Sequence, residues 1–514
     1  MNRARAAAEK NINNVMAADI KRSQERGIMK KLFFTAACIS ALLLGSCDLL
    51  ELFKTIDSSS STGNFWAVNF TNGRDYRVDA ELLAEGIHCN VWVEKSSGKN
   101  TDDAEAVADH FDNHIYDIMI DNFSIKNFNY RNNNFDNIVQ FAGWLSGGDG
   151  KLCILLLDIK DGFKRDPDPY VAGYFWNGDI YKNDNNAVQG SNERIIIYID
   201  TYPGMSNDKT AEAYSTLAHE MQHLMNFATG VVKRPRTLAG LTYAYTMDTW
   251  VDEGLSAAAE YVYSGEHSQE RINWFKTNGN GNGRITSGNN FFVWNNYINN
   301  SHAILDDYST VYLFFQWLRL QAGSSDIYKK IISSTKSNHE AVVDAMKEYN
   351  SYATWDFLLE SWLTANHLNM PDGPFGYMED SDLIKIKIPS SSISAKVSLA
   401  PGEGVYSRVY SKPNLSGQGL NIRNFYIEND GPTDQFSSGS VLLTYNLNAN
   451  YNFNENNQNF SSGGPETGVT SGHPIHNTNI VSAERSVKPV FSGPYRIGAG
   501  DLLRERSFII DNEQ

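Results

Sequence analysis

Cysteine is scarce in this 514-residue chain, with only four in all. That number is too small for a disulfide-stapled scaffold. Cys38 and Cys47 fall in an N-terminal segment considered below. Cys89 and Cys153 lie in the predicted strands "IHCNVWVE" and "KLCILLLD", where buried free thiols and a disulfide are both admissible. Long apolar runs are also missing. No stretch of twenty apolar residues occurs, so an ordinary membrane-spanning helix is excluded. Basic residues are outnumbered, 44 Lys+Arg against 60 Asp+Glu, and the formal charge of −16 argues against a nucleic-acid partner. What remains is an apolar fraction of 41% with 12% aromatics, the composition of a globular protein. The length suggests two to four domains and ample chain for a core.

The N-terminus carries a targeting pattern. "MKKLFFTAACISALLLGSC" begins at Met29 with Lys30 and Lys31, runs apolar from Leu32 to Leu44, and ends in "LLGSC". This is a positive n-region, a short h-region and an ending that resembles the bacterial lipobox, with Cys47 as the lipidated residue. Residues 1–28 precede any sensible n-region and read as a mis-assigned start. Residues 29–46 read as the signal peptide and 47–63, with "SSSST", as a flexible tether. Residues 1–46 hold 8 Lys+Arg and 3 Asp+Glu, so their removal takes the charge from −16 to −21. The expectation is an exported cell-envelope lipoprotein, anchored to a membrane through Cys47.

The chemistry concentrates in "TLAHEMQHLMNF", residues 216–227. His219 and His223 are four apart and so lie about 40° from each other on a helix, as two ligands of one metal must. Tyr214, Leu217, Ala218, Met221, Met225 and Ala228 form an apolar stripe roughly opposite. Ser206 to Asp208 offers an N-cap and Gly230 a stop, predicting a helix of about twenty residues. Five residues do not make a metal site, because catalytic zinc takes three protein ligands and leaves one position for water. "DTWVDEGLSAAAEYVYSG", residues 248–265, supplies two candidates. Asp248 or Thr249 can cap a helix that Gly265 ends, with Glu253 in the first turn and Glu260 two turns further along the same face. An acid inside so apolar a helix needs a partner.

His-Glu-x-x-His followed by "WVDEGLS" resembles the gluzincin peptidases. More narrowly, "HEMQHLMNF", "WVDEGLSAAAEY" and "DYSTVYLFFQWL" resemble the hyicolysin-type bacterial metallopeptidases, over roughly residues 64–370. The resemblance implies zinc held by His219, His223 and Glu253, with Glu260 the alternate, and Glu220 as general base. It also implies a tyrosine that steadies the oxyanion, matched by Tyr308, with Tyr312 one turn on as its alternate. A core or supporting role suits Tyr308 equally well. One departure stands out. Gluzincins place an Asp four residues after the ligand Glu to orient a histidine, and Ala257 stands there.

The remaining pattern is α+β. "KLCILLLDI", "YVAGYFWNGDIY" and "ERIIIYIDTY" predict a mixed sheet with an edge strand, and "TDDAEAVADHFDNHIYDIMIDNF" a capped amphipathic helix. His88, His110 and His114 lack metal spacing and read as structural. "NGNGNGRITSGNN", residues 278–290, reads as a loop without phosphate-site context. Four helices follow between 306 and 368. From about 386, "LIKIKIP", "GVYSRVY", "VLLTYNL" and "RSFIIDN" predict short strands of a β-sandwich, interrupted by a long loop. The expected architecture is a zincin-like metallopeptidase domain, 64–385, divided into 64–205 and the zinc-binding and helical part 206–385. A β-rich domain, 386–514, follows. The expected function is zinc-dependent cleavage of protein or peptide, by endopeptidase action. Two rivals remain: a binding protein or adhesin with the fold but not the turnover, to which Ala257 gives weight, and a zinc hydrolase of a non-peptide bond. Oligomeric state is not legible.

Overall fold

Alternating burial builds the first sheet. β1 (Thr62–Asn69), β2 (Arg74–Glu85) and β3 (Cys89–Glu94) form an antiparallel meander. The computed structural model describes residues 62–124, 150–165, 170–181, 190–206, 209–238, 241–244, 246–281, 301–390, 396–399, 401–408, 414–416, 421–433 and 437–448. The expected signal segment, Cys47, the tether as far as residue 61, most of the 278–290 loop, the long loop beyond 450 and the expected strand at 506–512 lie outside these residues, while Thr62 and Gly63, the expected end of the tether, already belong to β1.

Asn100 caps α1 (Thr101–His110) with a reciprocal bond pair to Asp103, and a π turn at Phe111–Ile115 leads into α2 (Tyr116–Phe123). The chain returns through β4 (Leu152–Leu157), every residue of which is buried, as a strand covered on both faces requires. β5 (Gly173–Tyr174) and β6 (Ile196–Asp200) complete six strands in the order β1-β2-β3-β4-β6-β5. β3, β4 and β6 are parallel, and β5 pairs antiparallel to β6 at the edge. The expected mixed sheet with an edge strand is present. Cys89 and Cys153 are buried free thiols in β3 and β4.

The long helix α3 (Thr210–Lys233) packs on β5 and β6. It differs from expectation at both ends. Lys209 occupies the cap position and makes no side-chain capping bond, and Ser206 turns its hydroxyl to Pro203 O. Gly230 does not stop the helix. Every residue from Thr216 to Val231 is buried, and that packing outweighs the roughly 1 kcal/mol that glycine costs in a helix. After the hairpin β7 (Pro235–Leu238) and β8 (Leu241–Ala244) come α4 (Thr249–Ser264) and α5 (Gln269–Gly281). α5 carries helical backbone four residues into the expected loop, through Gly281. α6 (Ser301–Ala322), α7 (Asp326–Ile332), α8 (His339–Lys347) and α9 (Trp355–Leu368) follow as expected. α4 lies between α3 and α6, and Trp250, Phe314, Phe315 and Trp355 interlock around it.

"LIKIKIP" is not a strand. It forms a 3₁₀ turn at Leu383–Lys385 and an irregular segment. Side chains satisfy its carbonyls in place of a ladder: Asn369 Nδ2 donates to Leu383 O and Ile386 O, and His367 Nδ1 to Ile388 O. Beyond it, β9 (Lys396–Ser398) pairs in parallel with β11 (Asn414–Ser416). β10 (Gly404–Arg408), β12 (Ile422–Glu428), β13 (Gly431–Thr433) and β14 (Val441–Asn446) form a four-stranded antiparallel sheet. That sheet is tied to α9 by Tyr406 Oη donating to Leu363 O and Tyr445 Oη to Asp356. The protein is therefore a mixed α+β structure with a six-stranded sheet, a helical half and a second small sheet.

Candidate active site

Two helices build the site. α3 brings His219, Glu220 and His223, each at most 5% exposed, and α4 brings Glu253, which is wholly buried. α4 ends at Gly265, whose φ of 70° is the left-handed conformation of a glycine C-cap. Asp252 takes the first-turn place expected of Glu253, which falls one residue later.

His219, His223 and Glu253 each offer one ligand atom within 4.8 Å of the others. Glu253 Oε2 lies 3.5 Å from His219 Nε2 and 3.5 Å from His223 Nε2. Two ligands on a tetrahedral zinc, with bonds of about 2.0–2.1 Å, would stand about 3.3 Å apart. The same atoms lack other partners. Both Nε2 atoms and both Glu253 oxygens are buried without a hydrogen bond, and so is Glu220 Oε1. Each such atom costs about 1–3 kcal/mol if left unmet, and more when charged. Five together in one place are the signature of a group that the side chains are arranged to receive. A divalent cation fits the donor set. Glu260, the alternate, is not in this cluster.

Hydrogen bonding sets the tautomers. His219 Nδ1 faces Glu260 Oε1 at 2.8 Å. His223 Nδ1 faces Ser256 Oγ at 3.0 Å and Asp252 Oδ1 at 3.2 Å. In the neutral, metal-binding form of each ring, Nδ1 faces a carboxylate and carries the proton, which leaves the Nε2 lone pair for the cluster. Asp252 is held in turn by Asn226 Nδ2, and Asn226 by Arg234, whose Nη1 also reaches Ile332 O and Ser334 O. Ala257 brings no acid to the histidines, and the groups that face their Nδ1 atoms are Glu260, Ser256 and Asp252. Sequence reading saw Glu260 only as a ligand, and missed Asp252, Ser256, Asn226 and Arg234.

Charge is balanced among these side chains. Burial would lower the pKa of His219, but Glu253, Glu260 and Glu220 outweigh it and raise it to about 9. Burial is likewise overcome at His223, which Glu253 and Asp252 hold well above the usual range. Burial would raise Glu253, yet the two imidazoles hold it well below. Glu220 is raised, chiefly by burial, against the pull of His219 and His223. A bound cation would take over the role of the imidazolium charges.

Glu220 is positioned by the sheet. Its Oε2 accepts the Phe175 N–H at 2.9 Å, one residue past the edge strand β5. The carboxylate therefore has one oxygen fixed and the other, Oε1, unengaged. "YVAGYFWNGDIY" predicted the strand but not this bond.

A cavity of about 470 Å³ is lined among others by Ser215, Glu260, His267, Arg271, Tyr308 and Tyr312; His219, Glu220, His223 and Glu253 do not line it, and it meets them through Glu260. Ser215 lies one turn before His219 on α3, and Glu260 belongs to both the cavity wall and the histidine's hydrogen bond. Tyr308 is 2% exposed, with the Arg271 guanidinium 5.2 Å from its ring. Tyr312 is more tightly engaged, its hydroxyl bonding His267 Nδ1 at 2.8 Å and accepting the Ser268 N–H at 3.1 Å. His88 and His110 stack on Tyr116 and Tyr214, away from the cluster atoms.

Comparison with known proteins agrees with this geometry. The neutral metalloprotease ShpI of Staphylococcus hyicus is 30% identical over 292 residues, 56% of this chain and 58% of that protein. The alignment thus spans a little over half of the relative's length. The sequence profile of the peptidase M30 family matches residues 77–383, which include both helices of the cluster, the edge strand and the cavity. The chain belongs to the peptidase M30 family.

Proposed function

We propose that this protein is a zinc-dependent endopeptidase with a zincin-like layout, in which His219, His223 and Glu253 hold the metal and Glu220 is the general base. The single observation that carries the reading is the convergence of orphaned buried atoms, His219 Nε2, His223 Nε2 and both Glu253 oxygens, with Glu220 Oε1 beside them. When bound, zinc would supply Lewis acidity toward the scissile carbonyl and acidify an attacking water. Glu220 accepts the water's proton on Oε1 while the Phe175 N–H holds Oε2 in place. It then returns the proton to the leaving nitrogen, the double role of one acid/base group. An extended peptide laid beside β5 would bring its backbone next to that carboxylate. Tyr308, on the cavity wall, is the candidate donor to the oxyanion, with Tyr312 already engaged by His267.

Family membership and the relative's name support peptide-bond cleavage. Glu220→Gln tests it, because the amide keeps the side chain's size but cannot take a proton at neutral pH. The variant is expected to keep zinc and fold while cleavage of an unfolded protein falls by several orders of magnitude, as chelation does for the wild type. Equal cleavage by both, or none by zinc-loaded wild type, would return the protein to the binding-protein reading. The reading includes export and lipid attachment at Cys47, supported by Lys30-Lys31, the apolar run and "LLGSC", with a protease domain at 64–385 and a β-rich domain after it.

A further inference from the structure

Glu260 is two turns beyond Glu253 on α4, and its Oε1 is shared by two donors. His219 Nδ1 lies 2.8 Å from it and Arg271 Nη2 2.7 Å. We propose that Glu260 and Arg271 are a positioning pair for His219: the carboxylate holds the ring in the tautomer and orientation that present Nε2 to the metal, and the guanidinium holds the carboxylate. The pair's role rests on His219 being a metal ligand.

Three observations separate this from an ordinary ion pair. First, the geometry is not that of a guanidinium placed for its own satisfaction. A bidentate pair would engage both oxygens, whereas Arg271 Nη2 joins His219 on one. Arg271 Nη1 stays buried without a hydrogen-bond partner, a cost accepted where the guanidinium is wedged 5.2 and 5.8 Å from the rings of Tyr308 and Tyr312. Second, the other histidine is backed in the same way, His223 by Asp252, Asn226 and Arg234. Two histidines, each with a carboxylate and behind it an arginine, indicate a common need to fix both rings. Third, among the described residues Glu260 is the carboxylate that faces His219 Nδ1, at 2.8 Å.

The pair also forms part of the cavity wall, so its effect is separable from substrate contact only by measuring the metal directly. The test uses the full-length protein, with the zinc dissociation constant measured by competition with a chromogenic chelator and the visible spectrum measured after cobalt loading. Glu260→Ala is expected to weaken zinc binding ten- to a hundredfold and to shift the cobalt bands. Glu260→Gln, whose carbonyl still accepts from both donors, is expected to stay within about threefold of wild type with unshifted bands. Arg271→Met is expected to weaken binding about tenfold while the metal-free protein still unfolds cooperatively, which keeps the test open should Glu260→Ala fail to fold. Glu253→Ala should lose far more than any of these. Wild-type affinity and spectrum in Glu260→Ala or in Arg271→Met overturn the pair, and so does a Glu260→Gln as weak as Glu253→Ala. A wild type that takes up no zinc instead overturns the metal-site reading itself.

Discussion

Asp179 shows at the scale of one residue what complete burial does to a carboxyl. It sits wholly buried in a 3₁₀ turn, accepting from Tyr198 Oη at 2.6 Å and from the Asn192 N–H at 2.7 Å. Burial pushes its pKa up to about 7, against the pull of those two bonds. The unfolded chain, with an ordinary carboxyl near 3.8, releases the proton that the folded protein keeps between about pH 4 and 7. The stability contributed by holding that proton is complete below pH 4 and lost as pH rises through 7, at up to about 1.4 kcal/mol per unit. Asn at this position stays neutral, can accept from Asn192 and can donate to Tyr198. In urea unfolding followed across pH, wild type should lose stability relative to Asp179→Asn from pH 4 to 7 and level off above. Parallel curves would show that Asp179 does not hold the proton.

Elements rather than residues decide how far the two metal-binding helices approach. Gly254 follows the proposed ligand Glu253, and a Cβ there would lie 2.3 Å from the ring of the buried Phe315 on α6. Alanine should push α4 off α6, costing about 1–3 kcal/mol, and should weaken zinc binding as Glu253 moves. Gly265 provides the contrast, with φ +70° and open space around its Cβ position. Gly265→Ala should cost about 1 kcal/mol in thermal unfolding and leave zinc affinity unchanged. Equal zinc affinity in the two variants would mean that α4 is not held by that contact. Legibility in the sequence follows the same division. His219, Glu220 and His223 are visible because helical spacing is local, and the β4 run and most helices because burial periodicity is local. Which acid meets which histidine is not visible, since it depends on where α3 and α4 cross. The same limit explains "LIKIKIP", whose alternation is real but whose carbonyls are met by Asn369 and His367 rather than a strand.

At the scale of the whole molecule, lipid attachment at Cys47 would put the metal site on a tether. Expressed from Met29 in a bacterium, the protein should partition into detergent, and Cys47→Ala should move it to the aqueous phase or leave it unprocessed. A mature N-terminus found upstream of Met29 would exclude this route to the membrane. The tether would leave the metal site unaltered, because every group in it comes from residues 171–334.

The helix that carries Glu253 can also be considered for its phase. Asp252, Ser256 and Glu260 stand four residues apart, a single ridge that turns about 40° with each step over roughly 12 Å of axis. Its early members meet His223 and its last meets His219, so the ridge and the histidine pair run in opposite directions and advance together. Inserting one residue between Ser256 and Glu260 would rotate everything beyond it by about 100° and detach His219's acceptor, with Glu253 unmoved. The stretch is therefore constrained in length as well as in side chain. It can be sought in other chains by its spacing, Asp-Glu-x-x-Ser-x-x-x-Glu, downstream of His-Glu-x-x-His.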